Sequence, residues 1–192
     1  MIPRKRFIAS KAANEQAWLE ARRQGVTATE VATAATPAGF RDALEQRRNP
    51  QTVEVNDYMA FGLLWEDWIA DKVARTYEIY PNDILIAGHN RKHLATPDGL
   101  GPQHRTIGEY KTTGKDWGDV EKMPIKYRRQ VQWQLHVTGA ESCIVAWLLR
   151  VEQDGQFVPG WFKQKYGIVF RDEKMIANLV DVAERLLEAD DE

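Results

Sequence analysis

Two short segments hold the residue types best suited to chemistry on a phosphate ester. They are Thr96-Pro97-Asp98-Gly99 and, shortly after, Gly108-Glu109-Tyr110-Lys111. Two carboxylates at neighbouring strand ends can hold a hard cation, which prefers oxygen ligands. Such a cation lowers the pKa of a bound water and stabilises charge on phosphorus. A nearby lysine can orient that water or offset the charge. Glu109 and Lys111 stand two apart, so on a strand they face one side, while Tyr110 points away and still offers its backbone carbonyl. The plainer reading is a surface turn followed by an amphipathic strand with a salt bridge, and these segments alone leave both readings open.

The rest of the chain narrows the setting. Its 192 residues suit one domain with a substantial core. A hydrophobic share of 43% and a charged share of 28% are those of an ordinary globular protein. No apolar run approaches a membrane span, and no apolar signal core follows the basic N-terminus. Cys143 is the only cysteine and sits in the apolar run Ser142 to Leu149, which reads as a buried strand. One cysteine and four scattered histidines give no zinc spacing. These features point to a reducing cytoplasm. The net charge of −2 does not advertise nucleic-acid binding. Yet Arg4, Lys5 and Arg6, then Arg22 and Arg23, then Lys126, Arg128 and Arg129 form basic clusters, while Glu184 to Glu192 is acidic. A local basic groove is compatible with that total; solvated helix faces are the bland alternative.

The elements that must position these residues follow from caps and periodicity. Asn14 caps a helix through Trp18 to Arg23, and Thr27-Ala28-Thr29-Glu30 has the capping-box pattern of a second helix ending by Pro37. Residues 38–48 read as a short amphipathic helix or loop, broken at Asn49-Pro50. Phe61, Leu64, Trp65, Trp68, Ile69 and Val73 carry helical spacing within a long helix from Asn56 to Tyr77, with Pro81-Asn82 ending it. Ile84 to Ala87, Lys92 to Thr96 and Thr106 to Thr112 read as strands. Pro124 starts a helix closed by Gly139. Strands follow at Ser142 to Glu152 and Tyr166 to Phe170, with a hairpin near Asp154-Gly155, and Asp172 caps a last helix to Leu187. This order predicts an α/β (α+β) fold with one mixed sheet flanked by helices. It is read as a single domain over 1–192, with 1–13 a basic N-terminal arm and 188–192 an acidic tail.

Taken in order, these pieces resemble the lambda-exonuclease-like viral recombinases, the phage-type alkaline exonucleases of the PD-(D/E)XK nuclease superfamily. The resemblance runs from Trp18 to about Leu187. It is carried by Trp18-Leu19-Glu20-Ala21-Arg22 with Val26-Thr27-Ala28-Thr29-Glu30-Val31, by Phe61-Gly62-Leu63-Leu64-Trp65-Glu66, and by Ala95-Thr96-Pro97-Asp98-Gly99-Leu100. Glu109-Tyr110-Lys111 and Tyr127-Arg128-Arg129-Gln130-Val131-Gln132-Trp133 complete it.

The resemblance implies a restriction-endonuclease-like fold and roles for particular residues. Asp98 and Glu109 would be metal carboxylates, with the Tyr110 carbonyl as a third ligand and Glu66 binding directly or through water. The cofactor would be Mg²⁺, with Mn²⁺ as a substitute, as one or two ions. Lys111 would activate water, its pKa depressed by burial beside a cation. Gln130 would position water or DNA; its alternative is a hydrogen bond at the core edge. Arg22 and Thr29 would hold a terminal 5′-phosphate, with Thr96 a further phosphate donor. A surface arginine and ordinary helix caps are the structural alternatives. Trp65 and Trp68 are assigned to the core, and His89, His93 and His104 to no ligand role. One departure stands out. No acid lies between Ile84 and Pro97, where some family members have one, which bears on a second metal.

The implied activity is 5′-3′ exonuclease digestion of double-stranded DNA ends, leaving 3′ single-stranded overhangs for phage-type recombination in a bacterial host. A homotrimer ring and a single-strand annealing protein are the implied partners, with no membrane association. The alternatives are a structure-selective or restriction-type endonuclease of the same superfamily, or a non-catalytic DNA-binding protein on that fold.

Overall fold

The computed structural model describes residues 1–51, 54–160 and 165–191, the side chain of Asp191 excepted. Six helices form where caps and apolar periodicity place them. Helix α1 spans Glu15–Arg23 with Asn14 accepting from the Ala17 N–H, and α2 spans Ala28–Ala34 behind the Thr27/Glu30 capping box. Helix α3 covers Pro37–Arg48, so the segment left open between helix and loop is helical, with Thr36 accepting from the Gly39 N–H. Helix α4 covers Asp57–Tyr77, capped by Asn56. It stops at Glu78, in a left-handed conformation, before Pro81 is reached. Helices α5 (Ile125–Thr138) and α6 (Glu173–Asp191) complete the set.

Among the described residues nine strands form two sheets. The main sheet contains β2 (Tyr80–Pro81), β5 (Gly99–Leu100), β6 (Thr106–Thr113), β7 (Ser142–Gln153), β8 (Gln156–Pro159) and β9 (Lys165–Phe170). Strands β6 and β7 run parallel, pairing Glu109 with Val145 and Lys111 with Trp147, and the other pairs are antiparallel. This is the mixed, helix-flanked sheet expected. A second sheet was not expected: β1 (Phe7–Ser10), β3 (Ile84–Ala87) and β4 (Leu94–Ala95), in the order β1-β3-β4. Strand β4 ends two residues before Pro97, which has no N–H to continue a ladder. The chain therefore passes from the small sheet to the main one through Thr96-Pro97-Asp98.

The N-terminal segment is not a free basic arm. Phe7 to Ser10 pair with Ile84 to Ile86, and Ile2 is buried. Arg6 is buried as well; its Nε donates to the Ala87 carbonyl at 2.6 Å and its Nη2 to the Val137 carbonyl. The charge pattern hid a strand because the guanidinium satisfies carbonyls at the ends of β3 and α5 instead of facing solvent. The acidic end is likewise structured. Helix α6 runs on to Asp191, and Asp190 pairs with Arg47 at 2.8 Å, while Arg47 also holds Glu30 at 2.9 Å. Acids at a helix C-terminus oppose its dipole, and this buried arginine offsets them. Glu192 lies outside the described residues.

Three layers of side chains bury the faces of α4, α5 and the sheets. Ile69, Val73, Ile144 and Leu148 pack between α4 and the main sheet, and Val131, Leu135, Val145 and Trp147 between that sheet and α5. Trp65 and Trp68 pack at the edge of the α4 layer, consistent with their assignment to the core. On the other side of α5, Trp133 is fully buried and donates from Nε1 to the Leu94 carbonyl at 3.0 Å. Among the described residues no helix is long and apolar enough to cross a membrane.

A buried polar chain joins β4, α5 and α6. His93 Nε2 lies 2.9 Å from Glu184 Oε1, and His93 Nδ1 lies 3.1 Å from His136 Nε2. Glu184 can only accept when ionised, so the network puts a proton on His93 Nε2 and has His136 Nε2–H donate to His93 Nδ1. Burial, with repulsion from His93 and Arg171, lowers the His136 pKa to about 4, and burial lowers that of His93 against the pull of Glu184. The unfolded chain protonates these rings near 6.5 and the folded protein does so only lower. Between those values the unfolded state binds more protons, so stability falls as pH falls. The melting temperature is expected to decline from about pH 6.5 towards pH 4. His136→Gln should flatten that decline in thermal melts measured across the interval; an equally steep fall in the variant would dismiss the assignment.

Candidate active site

Strand β6 carries the centre of the site. Glu109 is 1% exposed, and a buried carboxylate needs donors on both oxygens. Gln130 Nε2 donates to Oε1 at 2.6 Å and Gln134 Nε2 to Oε2 at 2.7 Å. Lys111 Nζ forms an ion pair with Oε1. Glu109 and Lys111 thus share a face of β6, as their spacing predicts. Burial pushes the Lys111 pKa down, but the adjacent Glu109 and Asp98 carboxylates outweigh that and raise it, so the ammonium is retained.

Asp98 reaches the same strand from the crossing between sheets. Its Oδ2 accepts from the Tyr110 N–H at 2.6 Å. The N–H and C=O of one strand residue leave on the same side. The Tyr110 carbonyl therefore faces Asp98, where the β5 ladder has already ended at Gly99↔Gly108. The turn is pinned by Asn82, whose N–H donates to the Asp98 carbonyl at 2.9 Å and whose Nδ2 donates to the Pro97 carbonyl at 2.8 Å. Behind the strand, the Tyr110 ring lies flat against Gly99 and Gly108. A Cβ at either position would come within 2.6 or 2.7 Å of its hydroxyl, which is buried without a hydrogen-bond partner.

Glu66 comes from α4. It lines a cavity of about 320 Å³ together with Gly62, Ile69, Tyr110, Lys111 and Thr112. Partial burial raises its pKa, Lys111 opposes the rise, and Glu109 and Asp67 add to it. Asp98 is pushed well above the usual carboxylate range by burial and by Glu109, against Lys111. Three carboxylates thus share one ammonium, and two of them are driven towards the neutral form. A bound cation would reverse that cost. The donors are all hard oxygens, from Asp98, Glu109, Glu66 and the Tyr110 carbonyl, a set that suits Mg²⁺ or Mn²⁺. Among the described residues no three His, Cys, Asp or Glu side chains form a ready-made metal cluster.

The residues assigned to phosphate lie further out. Arg22 Cζ sits 4.4 Å from the centre of the Trp18 ring and lines a separate pocket with Glu30, Arg47 and Asp190. Burial lowers its pKa, with Glu30 pulling the other way. Glu30 is already engaged by Arg47 and the Thr27 N–H, and no described residue hydrogen-bonds the Arg22 guanidinium. Lys11 lies 5.6 Å from the same Trp18 ring and also reaches Glu66 electrostatically, which links this pocket to the carboxylates. Thr29 is exposed on the first turn of α2, and Thr96 has a buried hydroxyl without a partner. The structure therefore gathers Glu66, Asp98, Glu109, Tyr110, Lys111 and Gln130 and sets Arg22 and Thr29 apart from them.

Sequence reasoning missed Gln134 and Asn82. Gln134 stands one helical turn beyond Gln130, and that i,i+4 spacing was its available signal. Asn82 carried only the signal of a chain turn.

The fold, a central mixed sheet flanked by helices, is of the PD-(D/E)XK type. The model of the YqaJ-like viral recombinase domain matches residues 17–141, a stretch that includes every candidate site residue, and the chain belongs to that family. No curated protein sequence matches it. Among solved structures, an alkaline exonuclease from Laribacter hongkongensis is similar at 22% identity, with 90% of this chain and 91% of that one covered and a TM-score of 0.69. Its complex with dAMP matches at 23% identity, with the same coverage and a TM-score of 0.70. A phage related exonuclease from Haemophilus somnus matches at 13% identity, covering 87% and 93%, with a TM-score of 0.66.

The two glutamines make a checkable claim about what holds Glu109. Gln134→Leu keeps the bulk and strands one carboxylate oxygen without its donor. The loss should be about 1–3 kcal/mol in denaturant unfolding with chelator present. Gln134→Glu should cost more at neutral pH, because it faces a carboxylate with another. Wild-type stability in both variants would remove Gln134 from the site.

Proposed function

We propose that this protein is a metal-dependent DNA exonuclease that digests duplex ends 5′ to 3′. The observation that carries the reading is the convergence of Asp98, Glu109, Glu66 and the Tyr110 carbonyl around a retained Lys111 ammonium. A bound Mg²⁺ or Mn²⁺ supplies an activated water and charge stabilisation at phosphorus. The chain's own part is positional. Gln130 and Gln134 fix the Glu109 carboxylate, and Asn82 fixes the turn that presents Asp98. Lys111 keeps its proton and can donate to a phosphate oxygen, where charge grows as the ester is attacked. The alkaline exonucleases with this fold support the reaction class.

End recognition separates the exonuclease from an endonuclease. Arg22 is held on Trp18 with its donors unused, and Thr96 has a free buried hydroxyl. With Thr29 they would grip a terminal 5′-phosphate and set the register of the strand. Digestion would leave 3′ single-stranded overhangs, the substrate of an annealing protein in phage-type recombination within a bacterial cytoplasm. A homotrimer ring would account for processivity.

Linear duplex DNA should be degraded in Mg²⁺ or Mn²⁺ and left intact in EDTA, and Asp98→Ala should abolish turnover without unfolding. A charge-assisted phosphate contact is worth on the order of 1.5–3 kcal/mol. Arg22→Ala should therefore slow digestion of 5′-phosphorylated ends by roughly 10- to 100-fold and narrow their advantage over 5′-hydroxyl ends. Covalently closed circles should resist. Ready cutting of circles, with Arg22→Ala treating both end types as wild type does, would replace this reading with the endonuclease.

A further inference from the structure

A second cation, Arg150, lies against Tyr58, one of the residues lining the Glu66 cavity. Arg150 sits near the end of β7, beyond the point where pairing with β6 stops at Thr113↔Leu149. Ile144, Ala146 and Leu148 pack with α4, and Arg150 continues that alternation towards the same helix. Its guanidinium carbon lies 4.5 Å from the centre of the Tyr58 ring, 5.2 Å from that of Phe157 and 5.9 Å from that of Phe61. A Cβ on Gly114 would stand 3.5 Å from its Nη2, which places the fork beside the turn just after β6. Tyr58 and Gly62 of α4 and Lys111 and Thr112 of β6 line the cavity between these features.

Among the described residues none offers Arg150 a carboxylate or a carbonyl within hydrogen-bonding distance. Among the described residues only aromatic faces meet this half-buried guanidinium, so its five donors are left to solvent or to an anion. The rings hold the fork in one place without consuming its donors, so little freedom is lost when an anion docks.

We infer that Arg150, framed by Tyr58 and Phe157, binds a backbone phosphate of the duplex substrate. The inference rests on the exonuclease reading for its substrate. It adds a DNA contact apart from Arg22, which lines a separate pocket. Arg150 acts in binding, not in the chemical step.

The test measures affinity of a linear duplex by fluorescence anisotropy in chelator, as a function of salt, so that no cleavage is needed. Each neutralised phosphate contributes about 0.9 to the slope of log K against log salt. Arg150→Met keeps the apolar stem and should weaken binding roughly 10-fold while lowering the slope by about one. Arg150→Lys should restore the slope. In Mg²⁺ the charge-free variant should raise KM and leave kcat close to wild type. Should the methionine variant fail to fold, Arg150→Gln serves the same purpose. An unchanged slope in a folded charge-free variant overturns the inference, because a purely packing role moves stability and not counterion release. Wild-type protein that binds duplex with the Arg150-dependent slope but never cuts it would overturn the exonuclease reading and leave this contact standing.

Discussion

The site depends on burying the Glu109 carboxylate where water cannot reach it, which requires donors on both of its oxygens. An ammonium and two amide groups surround it, and they come from two structural decisions. Lys111 follows from strand alternation along β6, and Gln130 and Gln134 from one turn of α5 laid against the sheet. The parallel pairing of β6 with β7 sets the strand height at which those groups meet. A one-residue slip in that register would turn Glu109 out of reach of α5 and leave Tyr110 facing the glutamines. The packing of Val131, Leu135 and Trp147 between α5 and the sheet fixes the register and thereby the electrostatics.

The sequence disclosed this centre well and its surroundings unevenly. Helix ends were legible because caps are local: Asn14, Thr27 and Asn56 each bond a backbone N–H or belong to a box within three residues. Long strands were legible from β-branched and apolar runs. The short strands β2 and β5 were not, because two residues carry no period and form only through partners distant in the chain. Strand β1 was hidden by its basic flank. Asp98, Glu109 and Lys111 could be read from type and spacing, and Gln130 only through the family resemblance. The work of Asn82 could not, since it exists only once the turn at Pro97 folds beside it.

Electrostatics was the least legible layer. In the fold the neighbouring carboxylates raise the Lys111 pKa against its burial, and burial raises those of Asp98 and Glu66. Sequence lists which charges exist; only packing decides which of them share a dielectric. The same holds for Arg22 and Arg150, which look like ordinary surface cations until each is found lying on aromatic rings.

The passage from β4 in the small sheet to β5 in the main one has a consequence for how the protein fails. Asp98 sits on that passage, next to Thr96 and the end of β4. Should the β1-β3-β4 sheet come away as a unit, as sub-domains do in local opening, it would draw the turn at Pro97 with it. Glu109 would stay in place on β6 while its partner carboxylate left. The Asp98 carboxylate and the Tyr110 N–H that it accepts from would part, so the grouping around β6 exists only while both sheets are in place.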